Sequence, residues 1–223
     1  MNCDVCNTPI NGYYFTDMFG RKGHQHHEFC DCCYGLVLGK VHFYSDGRKI
    51  CNFCHSYAVN DSVSARKARA NVYALFRKVG IQFPEEKIKL IVNDKAFAIQ
   101  KWNKSDFCGR LITTTKHNFL QTSKSYTIYI LSGLHRVIFE SVLAHELMHV
   151  WQNERNLKLS LKENEGLCEL VSYFFLQASK STIGKVRMQQ MEKSVDPIYG
   201  DGFRLMKQRF ESHGSWNSLL QNL

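Results

Sequence analysis

The sequence predicts an α+β protein in which a small zinc-stabilised double finger precedes a larger region with a small sheet and helices that carry an active site. Three observations support this prediction. Seven of the nine cysteines lie before residue 55, strand and helix patterns alternate over the rest of the 223-residue chain, and one helix pattern contains two histidines four residues apart. We therefore predict a double finger over residues 1–57, a linker over 58–65 and a second domain over 66–223.

Composition and charge narrow the functional classes. Hydrophobic residues make up 44% of the chain, which is enough to bury a core. The net charge of +9 suggests a nucleic-acid binder at first, yet residues 1–60 hold five basic and five acidic side chains. Because a finger that grips phosphates should itself be basic, the sequence predicts no nucleic-acid binding.

Targeting patterns indicate a cytoplasmic location. No apolar run approaches the ~20 residues of a membrane span, and the first residues lack the basic and apolar regions of a secretory signal. A cysteine-rich chain of this kind is expected in a reducing compartment, where its thiols bind metal rather than form disulfides. We expect a cytoplasmic protein without a membrane partner.

Pairs of cysteines or histidines separated by two residues recur through the N-terminal part. This gap lets both side chains of a pair turn toward one ion, and two pairs complete a tetrahedron. In the predicted register, the first zinc is held by Cys3, Cys6, His24 and His27, and the second by Cys30, Cys33, Cys51 and Cys54. Cys32 and His26 fall outside this register, and either could replace a neighbour as ligand. The alternative is a small core with free thiols, but a module under ~60 residues buries too little apolar surface to be stable alone.

Periodicity and turn residues predict the elements that follow. Gly80 ends the first helix, and the capping-box sequence Ser160–Glu163 opens a later one. In chain order we predict a helix over 65–78, a strand over 87–93, loops and short strands over 102–124, a strand over 126–131, and helices over 136–154, 160–180 and 203–212.

A metal-binding pattern lies in the helix predicted over 136–154. His145 and His149 share one helix face, so both imidazoles can reach one metal ion, with Glu146 beside it as a base. Apolar residues around the motif predict that this helix is buried. A catalytic zinc also needs a third protein ligand and an open position for water. The segment Asn164–Glu169 begins fifteen residues after His149 and offers that ligand.

The segment Asn164–Glu169 is similar to the second-helix motif of thermolysin-like gluzincin peptidases. The resemblance implies that Glu165 is the third ligand and that Glu169, one turn later, orients a ligand histidine. Cys168 and Glu169 stand where the family usually has serine and aspartate. The alternative is that both carboxylates are solvated on a helix face.

The chemistry of such a site predicts a hydrolytic mechanism. Zinc would lower the pKa of its bound water toward ~7, and Glu146 would take the proton as the water attacks a peptide carbonyl. Tyr199 or His213 could stabilise the oxyanion, and either could instead be a surface or packing residue. Residues 126–131 resemble the edge strand on which such peptidases align substrate, with a core strand as the alternative.

The cysteine register over residues 3–54 resembles a LIM domain, a double zinc finger that generally docks proteins. Asp46-Gly47 would form the turn of its second hairpin, and His27 stands where the family usually has cysteine. This module is followed by the motifs Ala144–Trp151, Asn164–Gly166 and Tyr199–Phe203. The order resembles the LIM-domain peptidase family best known from plant ubiquitin receptors that limit organ growth.

This resemblance implies a zinc endopeptidase that cleaves proteins and holds three zinc ions, two structural and one catalytic. The LIM module would dock or regulate protein partners. Ubiquitin is a further partner of the plant members. Because the first cysteine pair begins at Cys3, we expect this chain to lack the ubiquitin-interacting motifs that those members carry upstream. The alternative function is a non-catalytic LIM adaptor with an inactive peptidase-like scaffold.

Overall fold

The computed structural model describes residues 1–117 and 122–223 and has the mixed α+β composition that the sequence predicts. In chain order, its strands are β1 (Phe15–Thr16), β2 (Lys22–Gly23), β3 (Val41–Phe43), β4 (Lys49–Cys51), β5 (Ala58–Val59), β6 (Ile88–Asn93), β7 (Gly109–His117), β8 (Thr122–Leu131) and β9 (Leu134–His135). Its helices are α1 (Asn52–Ser56), α2 (Ser62–Lys78), α3 (Lys95–Trp102), α4 (Arg136–Glu154), α5 (Leu161–Ser179), α6 (Thr182–Lys193), α7 (Tyr199–His213) and α8 (Trp216–Gln221).

Each N-terminal finger contains a short antiparallel hairpin. β1 pairs with β2 in the first finger, residues 3–27, and β3 pairs with β4 in the second finger, residues 30–54. The second hairpin turns at Asp46-Gly47, where Gly47 has a φ of 84° that favours glycine. The turn predicted from this dipeptide is therefore confirmed.

The second finger packs directly on the helical region. β5 follows it in the chain and pairs antiparallel with β9, just ahead of α4. Arg48 Nη1 donates to the Ser132 carbonyl at 2.8 Å, and the Lys95 backbone N–H donates to Asp46 Oδ2 at 2.9 Å. These contacts join residues far apart in sequence and hold the second hairpin against the body of the protein.

The residues predicted as a linker, 58–65, are structured. They contain β5 and the first turn of α2, which begins at Ser62, three residues before the predicted start. The Asp61 carboxylate caps this helix by accepting from the backbone N–H groups of Val63 and Ser64. The division of the chain into two domains stays a prediction.

The main sheet has three strands in the order β6-β8-β7, with β8 parallel to β6 and antiparallel to β7. The strands predicted over 87–93 and 126–131 are confirmed. The interpretation of 126–131 as an edge strand is wrong, because β8 lies at the centre of the sheet, and the alternative of a core strand is the one that the structure has. Its inner side chains Tyr126, Ile128 and Ile130 are fully buried. The edge strand is β7, in a region predicted to hold loops and short strands; residues 118–121 of that region lie outside the described residues.

Helices account for most of the C-terminal half. α4 has the predicted bounds, and α5 begins after Ser160 with the predicted capping box to Glu163. The helix predicted over 203–212 is confirmed within α7, which begins earlier, at Tyr199, but α6 and α8 on either side of it were not predicted. α6 buries only Ile183, Gly184 and Val186, so its apolar stripe is too narrow to stand out in the sequence.

The core lies between the sheet and the two long helices. Phe139, Leu143 and Leu147 of α4 are buried against strand residues such as Ile128, and α5 packs along the other side of α4. Across the described residues, no helix combines the length and the apolar character of a membrane span. The motif residues His145, Glu146 and His149 of α4 line a cleft.

Candidate metal centre

α4 and α5 bring the predicted ligands of the second region together. The His145 and His149 rings lie one turn apart on α4, with centroids 4.9 Å from each other. Glu165 projects from α5, and its Oε2 lies 3.2 Å from His145 Nε2 and 3.3 Å from His149 Nε2. Two imidazole nitrogens and one carboxylate oxygen thus converge on one point, which is the donor set typical of a zinc site with an open position.

The second ring nitrogen of each histidine has its own partner. Glu169 Oε1 lies 3.1 Å from His145 Nδ1, so its carboxylate accepts the Nδ1 proton. Gln152 Oε1 lies 3.0 Å from His149 Nδ1, and the Gln152 amide is itself oriented by donating to the Asn164 carbonyl. Both contacts favour the tautomer that leaves Nε2 free to ligate a metal. Glu169 has the orienting position predicted for it, whereas Gln152 was not predicted.

Cys168 approaches the other side of the same cluster. Its Sγ lies within 4.8 Å of ligand-type nitrogens of both histidines, so it could be read as a metal ligand. Its contact is with His149 Nδ1 at 3.4 Å, on the opposite edge of the ring from Glu165. Burial raises the pKa of the Cys168 thiol well above its usual value, so the group stays neutral. Cys168 therefore supports the His149 ring, and Glu165 fits the ligand position better.

The histidines and carboxylates of this cluster shift one another's pKa. Burial alone would raise the pKa of Glu165, but hydrogen bonds from His145 and His149 outweigh it and lower the pKa to about 2. Burial alone would lower the pKa of His145, but contacts with Glu165 and Glu169 outweigh it and raise the pKa to about 10. The carboxylates thus stabilise positive charge at this point, which is what a divalent cation requires.

Glu146 lies beside this cluster and is only 7% exposed. Burial raises the pKa of its carboxyl, while the nearby His145 and His149 act in the opposite direction. A Cβ at Gly109, the first residue of β7, would lie 2.8 Å from Glu146 Oε1 and 2.5 Å from Val142 Cγ1. Gly109 therefore makes room for the carboxylate, a role that the sequence did not reveal.

Tyr199 stands at the start of α7, with its ring 6.5 Å from the His145 ring. Burial, together with the charges of Glu165, Glu169 and Glu146, raises the pKa of its phenol to about 12, so it stays a hydrogen-bond donor. His213 ends the same helix, fourteen residues and roughly 21 Å away. Of the two predicted oxyanion donors, the structure brings Tyr199 to the cluster and not His213.

A glycine contact sets the position of Tyr199. A Cβ at Gly166 of α5 would collide with the backbone of Gly202 in α7, and a Cβ at Gly202 would collide with the Lys162 carbonyl. Both positions need glycine because the two helices touch backbone to backbone. The glycines of the Tyr199–Phe203 motif thus allow the close packing that holds Tyr199 near the metal-ligand candidates.

The cluster opens into a cleft of about 1030 Å³. Its lining residues come from the edge strand β7, from α4, from α5 and α6 and from Tyr199 at the start of α7. Asn153 of α4 donates to Thr113 Oγ1 at 3.3 Å, which ties β7 to α4. The edge strand and the histidine–glutamate cluster thus border the same cleft.

The N-terminal clusters also form as predicted. The ligand atoms of the first set lie within 4.8 Å of one another, as do those of the second set, so each set could hold a metal ion. The sets are Cys3, Cys6, His24 and His27 in the first finger, and Cys30, Cys33, Cys51 and Cys54 in the second. Cys32 lies next to this set, where its thiol contacts Cys54, and its Sγ also accepts the His135 backbone N–H at 3.2 Å. Ligation by each residue stays a prediction.

Comparisons with known proteins identify relatives of this chain. Protein DA1 of Arabidopsis thaliana is 21% identical over 76% of this chain and 43% of its own length. The LIM domain-containing protein HDR3 of Oryza sativa subsp. japonica is 22% identical over 97% of this chain and 60% of its own length. Protein DA1-related 1 of Arabidopsis thaliana is 20% identical over 95% of this chain and 58% of its own length. The chain therefore spans about half the length of these curated relatives.

No solved structure shows a significant match. A family model described as DA1-like, Protein DA1, matches residues 65–185, which include α4, α5 and every residue of the histidine–glutamate cluster. The matched segment covers more than half of the chain. By this match the chain belongs to the DA1-like family.

Proposed function

We propose that this chain is a zinc-dependent endopeptidase with a thermolysin-like catalytic site. The observation that carries the proposal is the convergence of His145, His149 and Glu165 next to the buried carboxyl of Glu146, in a cleft that β7 also lines. Two imidazoles, one carboxylate and an adjacent base are the groups that metal-assisted peptide hydrolysis requires. The edge strand in the lining favours an extended protein chain as substrate.

His145, His149 and Glu165 would hold the catalytic zinc. Their donor set fits this metal, since both Nε2 atoms are free of other partners and the carboxylates around them stabilise a cation. When bound, zinc supplies a Lewis acid that polarises a carbonyl and makes a water molecule more acidic.

Glu146 is the general base of the proposed reaction. Its carboxylate accepts a proton from the attacking water and then delivers that proton to the leaving amine. Burial raises the pKa of the group, which makes its carboxylate a stronger base and its carboxylic acid able to hold the proton between the two steps. Gly109 keeps the carboxylate in place by leaving space beside it.

Tyr199 and β7 would position the substrate. The Tyr199 phenol, protonated at neutral pH, can donate a hydrogen bond to the oxyanion. The edge of β7 that faces the cleft is unpaired within the three-stranded sheet, so a substrate can add to it as a further strand. This assigns to β7 the alignment role first considered for residues 126–131.

The two fingers would each hold a structural zinc in a closed four-ligand site, giving three zinc ions per chain. As a LIM module they would dock protein partners. The first finger suits this role because Tyr13 and Phe15 are exposed, Tyr13 by 89%. We propose a cytoplasmic protein that acts on protein substrates, with ubiquitin as a further partner to be tested and no membrane or nucleic-acid partner.

The test replaces Glu146 by glutamine in the full chain. Glu146→Gln keeps the size and hydrogen bonds of the side chain but removes the base, so cleavage of a protein substrate should fall by at least about a thousandfold while the zinc content stays unchanged. Glu140→Gln is the matched control, because Glu140 lies on the same helix and contacts Asn71 outside the cleft. Undiminished cleavage by Glu146→Gln would contradict the mechanism.

A second variant separates metal binding from proton transfer. His149→Ala removes one proposed ligand, and we expect the purified protein to hold one zinc fewer. Metal analysis that finds the same zinc content in His149→Ala and in the unaltered chain would rule out this site.

A non-catalytic adaptor is the second candidate function. The exposed aromatic residues of the first finger favour it, since they suit partner binding whether or not the cleft is active. This candidate predicts that the zinc-loaded chain cleaves no member of a broad peptide library.

A further inference from the structure

Arg187 is a charged residue of the cleft that the proposed mechanism does not use. It projects from α6 and lines the cleft together with Gln190 and Met191 of the same helix. Within residues 1–117 and 122–223, the ion pairs involve other cations, and no carboxylate pairs with Arg187. A half-buried guanidinium that no carboxylate neutralises can still pair with an anion of a ligand, because burial disfavours an uncompensated charge.

Neutral contacts fix the Arg187 side chain. Nη1 donates to Gln190 Oε1 at 3.0 Å, Nη2 donates to the Cys32 carbonyl at 3.2 Å, and the guanidinium lies 4.9 Å from the centre of the Tyr34 ring. Nε is buried and has no hydrogen-bond partner. The side chain is thus held in one orientation, while its charge and part of its donor capacity remain uncommitted, which favours binding of an anion.

Arg187 can be located along the cleft through Cys32. Cys32 accepts the backbone N–H of His135, the residue that precedes α4, so Arg187 lies near the N-terminal end of that helix. His145 is ten residues further on, which is roughly 15 Å along the helix. An extended peptide covers that distance in about four residues. The guanidinium therefore lies within reach of a substrate side chain close to the proposed point of cleavage.

The lining of the cleft carries charges of both signs. Glu146, Glu165 and Glu169 are its carboxylates around the histidines, and its other charged residues are Arg187, Lys104, Arg110 and Asp106. Ile138 and Met191 also line the cleft and reduce its contact with water, which strengthens an ion pair there. The guanidinium of Arg187 therefore favours an acidic ligand over a neutral one.

We propose that Arg187 forms a specificity subsite for a carboxylate of the substrate, within about four residues of the cleaved bond. The inference rests on the proposed peptidase function and names its substrate class, proteins with an acidic side chain or a chain-terminal carboxylate at that position. Arg187 touches substrate in this proposal and takes no part in the bond-breaking step.

The experiment measures binding, so that it does not depend on turnover. The full-length, zinc-loaded Glu146→Gln chain is immobilised and offered amidated decapeptides that carry one glutamate, together with the matched peptides that carry glutamine. A third set has glutamine and a free C-terminal carboxylate, which separates the two sources of the anion. Mass spectrometry quantifies the bound peptides of each set.

We expect the glutamate peptides to bind at least about tenfold more tightly than the amidated glutamine peptides. If the ligand is a chain terminus, the peptides with a free C-terminal carboxylate should show this preference instead. A second substitution, Arg187→Gln, should abolish this preference, and Arg187→Lys should keep part of it because the charge remains. Lys185→Gln is the control, since Lys185 lies on the same helix as Arg187 but is exposed and lies outside the cleft lining.

Equal binding of the three peptide sets, or a preference that survives Arg187→Gln, would overturn the proposal. The melting temperature and zinc content of each variant show whether loss of the contact with Cys32 has damaged the fold. Arg187→Lys retains a cation that can donate to the Cys32 carbonyl, so it tests the carboxylate preference in a chain that keeps this contact. Cleavage assays of the chain with Glu146 in place report on the proposed function separately. Activity without a carboxylate preference contradicts this inference alone.

Discussion

The two fingers have the same ligand spacing but differ in how they meet the rest of the protein. All four cysteines of the second cluster are buried, and this finger is joined to the helical region through Arg48, Asp46 and the backbone of His135. In the first finger Cys6 is exposed, and a contact of Gln190 with Met18 reaches the helical region. The second finger is therefore built into the body of the protein, and the first projects from it.

The difference shows that one type of metal module can serve two purposes. A finger whose hairpin supplies hydrogen bonds to the residues before α4 stabilises the helix that carries His145, Glu146 and His149. A finger with an open surface is free to bind a partner. Four experiments test this comparison, and the one with the largest expected effect comes first.

Loss of a ligand should separate the fingers most clearly. Cys54→Ser in the second finger should remove one zinc and lower the melting temperature of the whole chain, because a structural zinc contributes several kcal/mol and this finger supports the core. Cys6→Ser in the first finger should also remove one zinc but unfold that finger alone. Metal analysis, calorimetry and hydrogen exchange check both outcomes. Equal losses of melting temperature would contradict the comparison.

Each finger also contains an arginine–aspartate pair, and these pairs make a second test. Arg48→Met removes the counter-ion of the buried Asp46 carboxylate and a donor to the Ser132 carbonyl, so the free energy of unfolding should fall by about 3–5 kcal/mol. Arg21→Met is the matched variant in the first finger. It should cost less because the Arg21 side chain is 28% exposed, against 7% for Arg48, so water can replace more of its contacts. Urea unfolding measures both, and a larger loss for Arg21→Met would reverse the assignment.

His135 makes the junction with the second finger sensitive to acid. Its ring stacks on Phe53 at 5.1 Å, and burial lowers the pKa of its imidazole to about 4. Because the unfolded chain binds the proton more readily, its contribution to stability is complete above pH ~6.5 and is lost as the pH falls toward 4, by up to about 3 kcal/mol. His135→Asn should therefore reduce the loss of stability between pH 7 and 5.

Unfolding free energies at pH 7, 6 and 5 test this expectation. His213→Asn is the control, since His213 ends α7 far from the second finger. An acid dependence that is identical in His135→Asn and in the unaltered chain would show that His135 does not set it.

The smallest effect is expected for an exposed ion pair between the second finger and Glu28, which lies in the segment between the two fingers. Lys49 Nζ lies 2.6 Å from Glu28 Oε1, but both side chains are more than one-third exposed. Surface pairs of this kind contribute about 0–1 kcal/mol, so Lys49→Met should shift the free energy of unfolding by less than about 1 kcal/mol, and added salt should remove the difference. A larger shift would mean that this surface pair stabilises the protein as much as the buried contacts between the second finger and the body.

Local patterns made the metal clusters and α4 predictable. A helix brings residues i and i+4 to one face, and a two-residue gap turns paired ligands to one ion, so short spacings were enough to expect His145 beside His149 and the two finger clusters. The capping box at Ser160 and Glu163 fixed the start of α5 in the same way. These features depend on neighbours in sequence.

The features that sequence did not reveal depend on distant contacts. β7 has five exposed residues in a row at Thr113–His117, so its alternation is weak and its edge position follows only from pairing with β8. The role of Gly109 depends on a carboxylate 37 positions later, and that of Gly166 on the backbone of α7. The short strand β5 likewise could not be predicted from its neighbours in sequence, because it forms only by pairing with β9.

The pairing of β5 with β9 also sets an order of assembly during synthesis. Val59 pairs with Leu134, 75 residues later in the chain. At ~5–20 residues per second, a ribosome needs roughly 4–15 s to make that segment. The second finger can bind its metal well before its docking partner has left the exit tunnel, and the completed finger then offers a preformed edge onto which the start of α4 can assemble.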